Sequence, residues 1–279
     1  MSDDIFAEDF EFPADVVELD SIDDSPNFLV YSNPGAGKTT WATSDDAILV
    51  INCESKGVVS ARHSKILGNN VKQWKAPTWI KFVECVEWLQ EIVRSGKKIP
   101  FKWVVVDTIT TLQDRQLMRH ILDEVHAKKS SRDLFIPDRP EYLRNQRMLV
   151  EYVKQLNDLP VGVIYLAHVM EIERQGEKYL LPAIQGGLDK GGVVAQQILA
   201  MQTSFGYLYT QQRTNDKGQK LVDAKSRQPL LERVIQWESY GKAEGKDRTG
   251  VLGHETKDVS LKEIRLRMEA ADKEIREKG

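Results

Sequence analysis

The stretch NFLVYSNPGAGKTTWA, Asn27 to Ala42, constrains this chain more than any other part of it. An apolar run stops at small, turn-prone residues, and Gly-Lys-Thr-Thr follows. Glycines in such a loop let backbone amides close around the oxygens of an anion, and the positive end of the following helix faces the same charge. Lys38 is placed to neutralise the β- and γ-phosphates of a nucleotide, and the Thr39 hydroxyl to bind Mg²⁺. The match to G-x-x-x-x-G-K-[ST] is complete except at its first position, where Ser32 replaces glycine. Serine is small enough for the loop to close. The expected cradle is Ser32, Asn33, Pro34, Gly35, Ala36, Gly37, Lys38, Thr39 and Thr40, with ATP and Mg²⁺ as its cofactors.

The pattern around the loop alternates. NFLVYS, AILVINCE, FKWVVVDTIT and VGVIYLAHV read as buried strands, and VKQW as a short extra one. TWIKFVECVEWLQEIVRSG puts Trp79, Phe82, Val86, Leu89 and Val93 on one helical face, closed by Gly96. LQDRQLMRHILDEVHAKK and YLRNQRMLVEYVKQLNDL read as helices, joined by the charged, proline-containing KSSRDLFIPDRPE. Strands alternating with helices, with the strands apolar on both faces, predict a mainly parallel sheet between helical layers. FGYLYTQQR, GQKLVDA and LERVIQWES alternate and are separated by turn residues, which predicts an antiparallel extension. SLKEIRLRMEAADKEIREKG predicts an amphipathic helix directing Leu261, Ile264 and Met268 to the body. The expected organisation is an arm over 1–25, an α/β core over 26–260 and a C-terminal helix over 261–279.

Three strand ends carry candidate chemistry. Asp107 ends WVVVD, where a carboxylate can hold the Mg²⁺ shell, with Thr108 as polar support. Glu54 lies just past LVINC, where it could orient and deprotonate an attacking water. His168 ends VIYLAH, a place from which a polar side chain could touch the γ-phosphate.

Composition sets the remaining limits. The 279 residues contain no apolar run near the ~20 needed to cross a bilayer, and the acidic N-terminus does not read as a secretory signal. A cytoplasmic protein without a membrane partner is expected. Cys53 and Cys85 are read as two buried thiols rather than a pair. Ten carboxylates precede Lys38, the first basic residue, so a net charge of −3 becomes +7 once they are set aside. An acidic arm, with Phe6, Phe10 and Phe12 among its carboxylates, thus precedes a mildly basic body. Such a body can associate with a polyanion.

NPGAGKTT, VINCE, VVVDTIT, YLAH and the late GKAEGKDRTG, taken in order, resemble the RecA-like ATPase core. More closely, the chain resembles the short, core-only RecA-like ATPases encoded by phages, from about Asn27 to Leu261. That group includes single-strand annealing and recombination proteins and AAA-type nucleotide-binding proteins. The resemblance implies a Glu-bearing strand beside the Asp-bearing one, Glu54 as the water-activating base and His168 as the γ-phosphate sensor. It implies single-stranded DNA as partner, contacted by Lys128, Lys129 and Arg132 in one loop and by Arg174, Lys178 and Tyr179 in another. It also implies a homo-oligomer, filament or ring, with ATP at subunit interfaces. Lys242, Lys246 or Arg248 would then deliver a cation in trans, and a single-strand-binding protein is a further possible partner. For a phage-encoded chain the location would be the host cytoplasm.

Other P-loop engines fit the same motifs: a helicase, a helicase loader, a packaging ATPase or a protein-coupled switch. A small-molecule kinase would use Arg132, Arg139 and Arg144 as a lid. The antiparallel extension and the second basic, glycine-flanked loop favour an assembling ATPase. Trp41 and Trp237 are candidates to stack on adenine, against a plainer role in the core.

Overall fold

Asn27–Ser32 (β1), Ile48–Asn52 (β2) and Trp103–Asp107 (β4) are buried at every position, as strands covered on both faces must be. In the computed structural model, which describes residues 25–54, 57–174, 176–186 and 193–278, they lie within one sheet, none of them at its edge. The acidic arm with Phe6, Phe10 and Phe12 falls outside the described residues. Lys72–Lys75 (β3), Gly162–Arg174 (β5) and Ser204–Gln212 (β7) complete a parallel set in the order β7-β1-β5-β4-β2-β3. Leu231–Gln236 (β8) and Glu255–Lys257 (β10) continue it antiparallel beyond β7, and Lys246–Asp247 (β9) pairs with β7.

Three expectations need correction. The segment FGYLYTQQR, β7, runs parallel to β1, so the antiparallel extension starts one strand later, at β8. GQKLVDA forms no strand and contributes isolated bridges at Lys220 and Val222. The segment ERQGEKYLLP is not an open loop. β5 continues past His168 and folds back through Glu177–Pro182 (β6), with Arg174 opposite Glu177. Backbone pairing takes up the amides and carbonyls that a loop would leave to water.

Each strand feeds two cores. Leu29, Tyr31, Ile51, Val104, Val106 and Tyr165 face the helices Trp79–Arg94 (α3), Met118–Lys128 (α5), Arg139–Asn157 (α6) and Val193–Met201 (α7). Phe28, Val30, Val50, Val105 and Ile164 face Trp41, Trp237 and the helix Leu261–Lys278 (α8). In α3, Thr78 caps the first turn by accepting from the Lys81 amide, and Trp79, Phe82, Val86 and Leu89 are buried. Cys53 and Cys85 are buried free thiols, as read. α8 is bound into the core rather than appended to it. Leu261 and Ile264 are fully buried, and Arg265 donates to Asp45 at 2.6 Å. Asp45 is itself fully buried and also accepts from Trp103 Nε1 at 2.9 Å. Trp41 and Trp237 pack together inside this core, so the plainer reading of both holds.

Candidate nucleotide site

In a parallel sheet the strands end together, and ligands collect at their carboxyl ends. Register decides which side chains meet there. Ser32 of β1 pairs with His168 of β5, and Asn52 of β2 pairs with Asp107 of β4. β5 lies between β1 and β4, so the glutamate, aspartate and histidine converge on the loop from separate parts of the sequence.

The loop leaves β1 at Ser32 and enters the five-residue helix Lys38–Ala42 (α1) through Gly37. Gly35 and Gly37 have φ of 82° and 100°, a region that L side chains rarely adopt, and these are the positions where glycine is needed. Ser32 still belongs to the strand, so no positive φ is required of it. Its hydroxyl accepts from Lys38 Nζ at 3.0 Å and donates to the Asn33 carbonyl at 2.8 Å. The serine is therefore part of the seat of the lysine. Lys38 Nζ also donates to the Ser32 carbonyl at 3.3 Å, and burial lowers its pKa against the opposing pull of Asp107 and Glu54.

Thr39 Oγ1 donates to Asp107 Oδ2 at 2.8 Å, which brings the expected pair of metal-associated groups together. Asp107 is 1% exposed, and burial raises its carboxyl to about pKa 6, helped by Glu54 and opposed by Thr39. Among the described residues no three His, Cys, Asp or Glu side chains gather into a metal cage. One hydroxyl and one carboxylate beside a phosphate loop suit Mg²⁺, which takes few protein ligands and completes its shell with phosphate and water. Thr39 and Asp107 would hold it.

Glu54 Oε1 meets His168 Nε2 at 3.2 Å, the Thr108 hydroxyl at 3.0 Å and the Thr111 hydroxyl at 3.1 Å. These bonds, His168 first, bring its carboxyl down to about pKa 2. The His168 amide donates to Thr110 Oγ1 at 3.0 Å, which fixes the strand at that point. A cavity of about 420 Å³ joins Lys38, Thr39, Glu54, Asp107, Thr108 and His168. Every catalytic and metal candidate read from the sequence lines this one space.

Arg233 on β8 was missed. Its Nε lies 2.5 Å from where a Cβ on Gly37 would stand, so the guanidinium lies across the loop from within the same chain. Its side chain makes no ion pair among the described residues, although its backbone is clamped to Asp258. The signal was present in LERVIQW: Leu231, Arg233, Ile235 and Trp237 share one strand face, and the arginine interrupts an otherwise apolar set.

The cations expected to contact DNA or a neighbouring subunit lie elsewhere. Lys128 ends α5, and Lys129 follows it as the cap. Arg132 is not free: it pairs with Asp138 and with Glu141 at 3.0 Å, and so holds the start of α6. Lys178 pairs with Glu171 across the β5–β6 hairpin at 2.7 Å. Tyr179 donates to Glu177 at 2.9 Å. Lys246 belongs to β9 rather than to an open loop. Its Nζ donates to the Leu199 carbonyl at 3.0 Å, near the end of α7, and burial with Arg248 nearby lowers it to about pKa 8. Lys242 and Arg248 are exposed.

Among the described residues no helix is long and apolar enough to cross a membrane. No curated protein matches the sequence. The family described as an AAA domain matches residues 24–249, a span running from just before β1 through β9 that contains the whole cavity. With a phosphate loop seated on a mostly parallel sheet and a buried aspartate bonded to its threonine, the chain belongs to this family of P-loop ATPases.

Proposed function

We propose that this chain hydrolyses ATP with Mg²⁺ as a RecA-like engine acting on single-stranded DNA, in recombination or strand annealing. The observation that carries hydrolysis is Glu54, held at 3.2 Å by His168 in the cavity that contains Lys38 and Asp107. A bound nucleotide only needs Lys38 and the loop amides. Hydrolysis also needs a carboxylate aimed at the water beyond the γ-phosphate, and Glu54 supplies one. Lys38 turns from Ser32 to the β- and γ-phosphates, and its ammonium and the loop amides replace their hydration. Mg²⁺, when bound, neutralises phosphate charge. Arg233 adds a cation in cis, and His168 reports on the γ-phosphate through its bond to Glu54.

The RecA-like assignment is supported by the strand order, with the glutamate strand β2 beside β4 and the histidine strand β5 between β4 and β1. The DNA assignment draws on the basic body and on exposed Lys128 and Lys129. In a head-to-tail assembly Lys242 and Arg248 remain the candidates to reach a neighbour's ATP, since Lys246 is engaged within its own fold. The deciding experiment is ATP hydrolysis with and without single-stranded DNA, with Lys38→Ala as the blank. Stimulation that vanishes in the variant is the expected result. Hydrolysis indifferent to DNA would move the assignment to a protein-coupled switch.

A further inference from the structure

Glu54 has a second side. Behind it lies a cavity of about 760 Å³, walled by the ends of β2 and β3 and by the π-helical stretch Leu112–Leu117, and it shares Glu54, Gly57 and His168 with the phosphate cavity. We propose that this cavity is a second anion site, one that takes a phosphate-bearing ligand of about nucleotide size and communicates with the ATP site through Glu54.

Three observations carry the proposal. First, Lys75 from β3 and Arg115 from the π-helical stretch both line the cavity, both are exposed, and neither side chain makes an ion pair or hydrogen bond among the described residues. The exposed cations Lys81, Arg119 and Lys178 are each paired with a carboxylate, and Lys72, which makes no ion pair among the described residues, does not line the cavity, so Lys75 and Arg115 are set apart by facing one space together. The one carboxylate in the wall is Glu54, whose Oε1 is already engaged by His168 and two threonines. Two free cations facing one space, with the local acid occupied elsewhere, make an anion receptor.

Second, the floor is rigid. Gln116, 7% exposed, donates to the Cys53 carbonyl at 2.7 Å and the Ala76 carbonyl at 2.8 Å, and so ties the exits of β2 and β3 to the helix that presents Arg115. Gln116 thus forms the floor of the cavity while its exposed neighbour Arg115 lines its wall, on a π-helical turn of a kind that recurs at functional sites. Third, size and polarity fit. The volume lies within the usual range for ligand pockets, and Asn52 and Gln73 add amides to the two cations.

A phosphate held between Lys75 and Arg115 places negative charge beside Glu54. That charge opposes the His168 bond and favours a carboxylate turned toward the γ-phosphate water, so occupancy and hydrolysis rise together. This coupling rests on the function proposed above, whereas anion binding itself does not. One chemistry has two sources here: the backbone of single-stranded nucleic acid or a free phosphorylated small molecule.

The test uses the full chain saturated with Mg²⁺ and a non-hydrolysable ATP analogue, so that the phosphate loop is filled. Inorganic phosphate, thymidine 5′-monophosphate and a fluorescent oligothymidylate are then titrated into wild type and the double variant Lys75→Ala/Arg115→Ala. Retained binding of the analogue shows that the variant is folded. The variant is expected to lose affinity roughly tenfold or more for each probe that wild type binds, as the loss of charge-assisted bonds requires. Competition by the monophosphate would identify a small ligand as the source, and binding of the oligonucleotide alone would identify the polymer. Equal binding by both proteins, or no binding of any probe by wild type, overturns the site. In a parallel assay with ATP in place of the analogue, binding that leaves the hydrolysis rate unchanged overturns the coupling. If the analogue itself fails to bind, the ATPase reading falls, and the same titrations on Lys38→Ala still report on the second cavity.

Discussion

Asp107→Asn is expected to make the protein more stable while removing its activity. The carboxylate is 1% exposed, and burial raises its pKa from 3.8 to about 6. At 1.36 kcal/mol per unit, holding it ionised in the folded protein costs about 3 kcal/mol at neutral pH. Asparagine has nearly the same shape, carries no charge, and its carbonyl can still accept from Thr39 Oγ1, now at 2.8 Å from the carboxylate. That bond weakens when its acceptor becomes neutral, which leaves a net gain of about 1–3 kcal/mol. The sign follows from linkage. An acid whose folded pKa exceeds its unfolded value disfavours folding once charged, so the penalty is absent below the unfolded value of 3.8, grows up to about 6 and is constant above. Thermal melts of both proteins in EDTA, without nucleotide, measure the difference across pH. For a chain of this length the variant should melt roughly 2–10 °C higher at pH 7.5, with the gap closing as pH falls toward 4. Added Mg²⁺ and ATP should narrow the gap from the wild-type side, because a cation offsets the buried charge. A variant that melts below wild type at pH 7.5, or a gap independent of pH, refutes the argument.

Glu54→Gln keeps the side-chain shape but removes the acceptor charge, so single-turnover hydrolysis should fall roughly 10²–10⁴-fold with nucleotide affinity retained; full turnover would place the water elsewhere. His168→Ala should bring the ratio of DNA-stimulated to basal hydrolysis toward one, and an unchanged ratio would leave the histidine a structural role. Arg233→Ala, which takes the guanidinium off Gly37, should weaken ATP binding roughly tenfold in a calorimetric titration. Equal affinity would put the arginine outside the site. Arg265→Leu strands the fully buried Asp45 carboxylate and should cost about 3–5 kcal/mol in urea unfolding, much of it recovered when Asp45→Asn is added. Failure of the second change to restore stability would show that α8 is held by something other than this pair.

Strands covered on both faces and the long helix with a clear apolar stripe were legible in the sequence, whereas the short, apolar helix α7 was not, although it buries Val194, Ala195, Ile198 and Leu199. β1, β2 and β4 announce themselves because both faces are covered, and α3 because Trp79, Phe82, Val86 and Leu89 repeat at helical spacing. The hairpin of β5 with β6 was read as a loop. Met170 and Ile172 alternate with Glu171 and Glu173 and stand opposite Leu181 and Tyr179, but this apolar face is short and only partly buried, and the charges around it read as a loop. Alternation in β7 showed a strand but not its direction, since antiparallel and parallel partners bury the same residues. The π-helical stretch has no period of its own in the sequence. Asp107, Glu54 and His168 were found as strand ends, yet their meeting is a property of the register: His168 and Glu54 are 114 residues apart and touch because β5 is inserted between β1 and β4.

The two carboxylates of the cavity differ in a way that supports the roles proposed for them. Asp107 sits in a dry wall with one hydroxyl donor, and its charge there is under-compensated. A group in that state favours the arrival of a cation, and a divalent ion beside Thr39 turns its cost into attraction. Glu54 is 30% exposed and accepts from one imidazole and two hydroxyls, so it stays ionised across the whole range in which proteins work. An already satisfied carboxylate gains little from a metal. At a pKa of about 2 it is also a weak base, so in the proposed hydrolysis it would act on water first by accepting a hydrogen bond and fixing its direction, with proton transfer following as charge develops on the phosphate. Environments that push neighbouring carboxylates in opposite directions divide the labour between them. Exchanging the roles would ask the buried group to face water and the solvated one to face metal, against the burial of each.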